Sequence, residues 1–386
     1  MVLLYRDKRT PADRSGHVLT DKKVIIKERK NMFNKNLFAN KLKGIEPYVV
    51  DTGKYKARLD ANESFIPLRE DIRKKLCEVI ESFDFNRYPD PHANDLKVAF
   101  CDYYGLKTGN VCVGNGSDEI ISLLMNCFVD FGKSVMVFTP DFSMYAFYAS
   151  LVGLSVVQCP KKADFSIDFD LAEKAIKEND VKLVIFSNPC NPTGKIEKKS
   201  DIKELAQKCP ETIFVVDEAY MDFASIKNTE SFLKETEEYE NLIVLKTLSK
   251  ALGAAALRLG FLVADKKFCD MLFAVKSPYN VNGLSQKCGE VLLKEKAYLD
   301  ECTKSLCDSC ESLYKEIVRS GIGKPDATYT NFVFFKDERA QEKQTFLREN
   351  GVLIRKFGID GGALRITSGT SEENALVVKT LGEFKN

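Results

Sequence analysis

Between residues 68 and 83 the segment LREDIRKKLCEVIESF places Leu68, Ile72, Leu76, Val79, Ile80 and Phe83 at three- and four-residue intervals. That spacing predicts a helix with one apolar stripe. Farther along the period changes. Short β-branched runs recur at 111–113, 135–138, 154–157, 183–187, 213–217, 242–246 and 260–264, with helix-length stretches between them. Strands this apolar, alternating with helices, predict an α/β fold with a mainly parallel sheet covered on both faces. Ligands in such sheets collect at the carboxyl ends of the strands.

Those ends carry polar residues. The run 183–187 leads into Asn188-Pro-Cys-Asn191-Pro-Thr-Gly194, 213–216 into Asp217-Glu-Ala-Tyr220, and 242–245 into KTLSKALGAAALRLG, residues 246–260. In that last stretch Lys250 and Arg258 flank a run of small, uncharged residues, which lets backbone approach an anionic group closely. An aspartate after four apolar residues is often only a strand-end cap, but three polar endings on one edge point to chemistry.

Composition narrows the field. The 57 basic and 56 acidic residues nearly cancel, so charge favours neither nucleic acid nor membrane. His17 and His92 are the only histidines, which argues against a histidine-based metal site. Twelve cysteines form no framework and the N-terminal apolar run is too short for a signal core, so free thiols in a reducing cytoplasm are expected. The one CxxC, Cys307 to Cys310, lies in a helical pattern and reads as packing. Residues 1–30, with nine Lys/Arg and four Asp/Glu, read as an extension outside the fold.

The turn Gly114-Asn-Gly116-Ser117-Asp118-Glu119 follows a strand and precedes an apolar helix, a context that suits a phosphate on a helix N-terminus. A dinucleotide fingerprint fails because Glu119 stands where its third glycine belongs, and no Gly-Lys-Ser/Thr closes a Walker loop. A single phosphate beside a lysine and a buried aspartate suggests pyridoxal phosphate. The lysine would join the aldehyde, and the carboxylate would keep the ring nitrogen protonated.

A family resemblance rests on segments that run in order: EPY (46–48), LDANES (59–64), RYPD (87–90), GNGSDEI (114–120), TPDFSMY (139–145), SNPCNPTG (187–194), VVDEAY (215–220), TLSKALGAAALRLGF (247–261), SPYNVNGLSQ (277–286), NFVFF (331–335), GVLIRKF (351–357) and LRITSGTSEE (364–373). The chain resembles the fold-type I pyridoxal-phosphate enzymes of the class I/II aminotransferase group, and within it most resembles the histidinol-phosphate aminotransferases. The resemblance implies a large domain over 76–281, with a seven-stranded sheet between helices. It also implies an N-terminal arm and small-domain segment over 31–75, and a smaller α+β domain over 282–386.

The resemblance also implies roles. Lys250 would bind the cofactor aldehyde and move the proton, and Asp217 would pair with the ring nitrogen. Tyr220 and Asn191 would hydrogen-bond the ring oxygen while Phe142 stacks on the ring. Gly116, Ser117, Asp118, Thr247, Ser249 and Arg258 would hold the phosphate, joined by Tyr88 from a second subunit of a homodimer. Tyr48, Asn62, Arg355 and Arg365 would bind substrate, with Arg365 gripping a carboxylate and Arg355 and Tyr48 a phosphate. Two departures stand out: Asp141 replaces the family's usual threonine before the stacking aromatic, and Ala256-Leu257 replaces Ala-Gly before the arginine. The implied reaction is transamination between L-histidinol phosphate and 2-oxoglutarate. Aromatic aminotransferases and threonine-phosphate decarboxylases share the scaffold and remain alternatives. A DNA-binding regulator with an aminotransferase-like domain fits poorly, because residues 1–45 carry no helix-turn-helix pattern.

Overall fold

The computed structural model describes residues 39–42, 45 and 51–384. The extension expected over 1–30 and Tyr48 lie outside the described residues. The segment 1–49 separates as a unit of its own, whose one described element is a single 3-10 turn at Asn40–Leu42.

Residues from 51 onward form β1 (Ala57–Leu59), α1 (Glu70–Glu81), α2 (Asn94–Tyr104), β2 (Val111–Asn115), α3 (Gly116–Cys127), β3 (Ser134–Thr139), α4 (Met144–Val152), β4 (Ser155–Pro160), α5 (Phe169–Glu178), β5 (Val181–Ser187), α6 (Lys199–Lys208), β6 (Ile213–Asp217) and α7 (Met221–Ser225). They continue through β7 (Leu242–Thr247), β8 (Leu259–Val263), α8 (Lys266–Val275), α9 (Gly283–Leu293), α10 (Lys296–Arg319), β9 (Phe332–Lys336), α11 (Ala340–Glu349), β10 (Val352–Phe357), β11 (Ala363–Thr367) and α12 (Ser371–Glu383).

All seven expected apolar runs become strands of one sheet, ordered β2-β8-β7-β6-β5-β3-β4. Neighbours from β7 through β4 are parallel, whereas β8 runs antiparallel to both β2 and β7. The apolar runs cover both faces because both are buried. In β5, Val184 and Phe186 join the core on one face while Leu183 and Ile185 join the other, and β6 and β7 alternate in the same way. The edge strand β4 extends to Pro160, beyond the expected 154–157, because its ladder with β3 continues through Thr139 opposite Pro160.

The helix expected over 68–83 spans Glu70–Glu81. Its stripe is buried at Ile72 but 50% exposed at Ile80, although α1 packs on α9. Cys307 and Cys310 lie buried on α10, where the Cys307 thiol donates to the Phe223 carbonyl at 3.7 Å, in keeping with packing. A second sheet, ordered β1-β10-β11-β9, is parallel at β1/β10 and antiparallel elsewhere. It covers its own core, which includes Leu313 and Ile317 of α10 and Val377 and Leu381 of α12.

The strand β8 meets the start of α3 backbone to backbone. A Cβ on Gly260 would lie 2.3 Å from the Ser117 nitrogen and 2.4 Å from the Gly116 carbonyl carbon. Gly260→Ala should therefore lower unfolding free energy by roughly 1–3 kcal/mol or more, since backbone must shift to admit a methyl group. Urea denaturation of the variant measures this, and an unchanged midpoint would mean the contact yields freely.

Candidate active site

The carboxyl edge of the large sheet places Ser187, Asp217 and Leu245 side by side on β5, β6 and β7. Asp217 is only 5% exposed. Its carboxylate accepts hydrogen bonds from the Tyr145 hydroxyl at 2.8 Å and the Ala219 amide at 3.0 Å. Burial pushes its pKa up to about 6, against the lowering effect of those two donors. A protonated ring nitrogen is the kind of partner that would restore its charge.

Lys250 follows β7 and is half-buried, its ammonium donating to the Ala61 carbonyl at 2.9 Å and lying 6.0 Å from the centre of the Tyr220 ring. Lys246, four residues earlier, belongs elsewhere: it is buried, pairs with Asp222 at 2.9 Å and lies over the Tyr104 ring. The Tyr220 hydroxyl accepts from the Asn62 amide at 2.8 Å, and Asn62 is held in turn by Thr367 of β11. Asn62, expected at the substrate, thus contacts the site through Tyr220.

Arg365 of β11 donates to the Asn191 side-chain oxygen and to the Asp60 carbonyl, and its guanidinium lies between the Phe332 and Phe357 rings. Arg355 of β10 stands directly opposite Arg365 in the antiparallel ladder. Directly opposed residues share a face, their Cβ atoms roughly 5 Å apart. Two guanidinium side chains so placed suit an anionic group.

The helix α3 begins at Gly116, and its N-cap Asn115 contributes no side-chain hydrogen bond to the first turn. The amides of Gly116, Ser117 and Asp118 therefore suit an anion, with the helix dipole behind them. Arg258 adopts a left-handed conformation (φ 52°) and pairs with Asp118 at 3.3 Å. A Cβ on Gly116 would meet an Arg258 guanidinium nitrogen at 2.8 Å, so only glycine lets this arginine approach the helix start. Thr247 and Ser249 exchange a side-chain hydrogen bond of 2.9 Å. A helix start, two hydroxyls and a guanidinium suit a phosphate; an amine and a buried carboxylate suit an aldehyde and a pyridine nitrogen. The donor set fits pyridoxal phosphate.

Phe142 is half-buried and meets Tyr145 edge-on at 5.4 Å. Tyr88 stays apart from this cluster: it is 81% exposed and stacks on Tyr279 at 4.6 Å. Sequence reasoning missed Tyr145, although it lies one helical turn beyond Phe142 in the TPDFSMY segment.

These features fit an enzyme built around a phosphate-bearing aldehyde cofactor. The family model "Aminotransferase class I and II" matches residues 55–381, and the chain belongs to that family of pyridoxal-phosphate-dependent aminotransferases. It is 40% identical to the histidinol-phosphate aminotransferase of Clostridium novyi (strain NT), over 89% of this chain and 96% of that one. Identity to the enzyme of the same name from Pyrococcus furiosus is 33%, over 88% and 95% of the two chains. Among solved structures, histidinol-phosphate aminotransferase from Sinorhizobium meliloti in complex with pyridoxal-5'-phosphate superposes with a TM-score of 0.82 at 22% identity, covering 92% of this chain and 98% of that one. L-threonine-O-3-phosphate decarboxylase from Porphyromonas gingivalis shares the fold at 22% identity, with a TM-score of 0.73 over 85% and 99%. Among the described residues no helix is long and apolar enough to cross a membrane.

Tyr145→Phe removes a hydroxyl donor from a buried carboxylate. Cofactor affinity, read from its visible absorbance on titration into the cofactor-free protein, should fall by about 1.5–3 kcal/mol, the range for a hydrogen bond to a charged group. Unchanged affinity would leave Tyr145 as core packing.

Proposed function

We propose that this aminotransferase exchanges amino and oxo groups between L-histidinol phosphate and 2-oxoglutarate, giving imidazole-acetol phosphate and glutamate. The observation that carries the substrate is the Arg355–Arg365 pair, opposed across β10 and β11 next to Asn191. A phosphate carries up to two negative charges, which a single arginine neutralises only in part. The relatives of that name, similar over nearly their whole length, support the same reading.

Bound pyridoxal phosphate supplies an aldehyde that takes the amino group and a protonated ring that draws off electrons from the substrate carbon. The Lys250 amine would hold the aldehyde and, when free of it, would carry the proton between the substrate Cα and the cofactor carbon. Asp217 holds the proton on the ring nitrogen. Tyr220 and Asn191 donate to the ring oxygen, and Phe142 covers the ring and excludes water. The α3 amides, Thr247, Ser249 and Arg258 anchor the phosphate. Arg365, oriented by Asn191, binds the carboxylate of glutamate and 2-oxoglutarate.

A homodimer with shared sites belongs to this proposal. Ile80 (50%), Phe85 (67%) and Tyr88 (81%) form an exposed apolar stretch, which a second copy would cover while bringing Tyr88 to its phosphate cradle. The twelve free thiols, Cys77 and Cys127 exposed among them, favour a reducing compartment such as the cytoplasm.

Arg355→Ala should lower kcat/KM for histidinol phosphate by roughly 2–4 kcal/mol while glutamate as donor loses much less. Equal losses on both donors would make Arg355 a general anion grip. Good turnover of phenylalanine or tyrosine with little of histidinol phosphate would move the enzyme to aromatic substrates, and release of carbon dioxide from threonine phosphate would make it a decarboxylase. Shared sites can be tested separately: mixing inactive Lys250→Ala chains with Tyr88→Ala chains should restore activity, because each hybrid then holds one complete site. Verified hybrids without activity would place each site within one chain.

A further inference from the structure

Beneath Phe142 and Asn191 lies a charge pair that the reaction does not use directly. Asp141 and Lys161 have side chains 2% and 1% exposed, joined at 3.1 Å. Asp141 also accepts from the Phe142 amide at 2.8 Å and from the Ser187 hydroxyl, whose oxygen accepts the Asn191 amide at 2.9 Å. Lys161 donates a second hydrogen bond to the Cys190 sulfur at 3.0 Å, and its own amide is tied to the Thr139 carbonyl. The network thus joins the carboxyl ends of β3, β4 and β5. One end leads into Phe142 and another into Asn191.

A buried ion pair is a poor device for stability alone, since well-packed apolar residues of similar volume often serve as well or better. Here the negative member stands on the same edge as Asp217. We propose that the Asp141–Lys161 pair is a positioning element of the cofactor site: it sets Phe142 and Asn191 together, and Lys161 confines the Asp141 charge so that it does not act on the cofactor ring. The proposal rests on the assignment of Asn191 to the ring oxygen made above.

The charged and titratable groups facing Asp141 are Lys161, Cys190, Tyr145 and Asp217. Asp217 is faced in turn by Tyr145, Asp141 and Asp118, and Lys161 by Glu197 as well. With Lys161 neutralised, the Asp141 carboxylate acts on the site unopposed and holds protons there more tightly. With Asp141 neutralised, the buried Lys161 ammonium does the reverse. The sign of the effect therefore depends on which member is removed, and removing both restores the balance.

The test uses the cofactor-loaded enzyme and follows the pH midpoint of the bound cofactor's visible absorbance. Lys161→Met should move it up by about half a unit or more and Asp141→Asn should move it down, with the Asp141→Thr/Lys161→Met double variant returning close to the starting value. Lys161→Met should also reduce kcat more than it raises KM, which loss of fold stability alone would not do. An unmoved midpoint in Lys161→Met, or shifts of the same sign in both single variants, would overturn the proposal. Should Lys161→Met fail to fold, Asp141→Asn decides: a downward shift supports the proposal and an unmoved midpoint overturns it. Asn191→Ala serves as a control for the underlying assignment. Its midpoint must rise through loss of a donor to the ring oxygen, and if it does not, the placement of Asn191 fails independently of the charge pair.

Discussion

The arrangement depends on one carboxylate kept out of water. Asp217 ends the central strand β6 at 5% exposure, with one hydroxyl and one amide to support it. Burial opposes its charge, so a cationic partner on the open side is favoured by what solvent no longer supplies. A site that binds a protonated ring nitrogen needs such a carboxylate. The parallel strands β5, β6 and β7 hold it beside the polar turn after β5 and the lysine after β7.

Around that carboxylate the two sheets meet through polar links rather than apolar contact alone. Asn62, just beyond β1, reaches Tyr220, and Arg365 of β11 reaches Asn191. Each link joins residues more than 150 positions apart, 158 and 174 respectively. The arginine proposed to bind substrate is thereby oriented by the same asparagine proposed to hold the cofactor. On that proposal cofactor and substrate binding share a side chain, so a shift in the small sheet would be felt at the ring.

Much of this was legible along the chain. The seven strands of the large sheet could be read because both faces are buried, which makes each strand a continuous apolar run. The polar residues that end those runs stood out for the same reason. Tyr145 was not legible, because an aromatic in an apolar helix reads as core until its hydroxyl is seen to reach Asp217. Lys161 was even less so: in the run Lys161-Lys162-Ala163-Asp164 it reads as one more solvated charge, yet it is buried against Asp141, twenty residues earlier. Asp141 itself looked only like a departure from the family's threonine. Its partners Ser187, Cys190 and Lys161 come from other strand ends.

By itself the sequence determined the α/β alternation, the strand edge that carries the chemistry, and the kind of group that edge would hold. Those features follow from local periodicity and from residue types adjacent in the chain. Only the tertiary structure decided that Arg355 stands opposite Arg365, that Asn62 supports Tyr220, and that Lys161 neutralises Asp141. Each depends on strand register or on which loops converge at a sheet edge. These are set by packing between distant segments, and no local pattern records them.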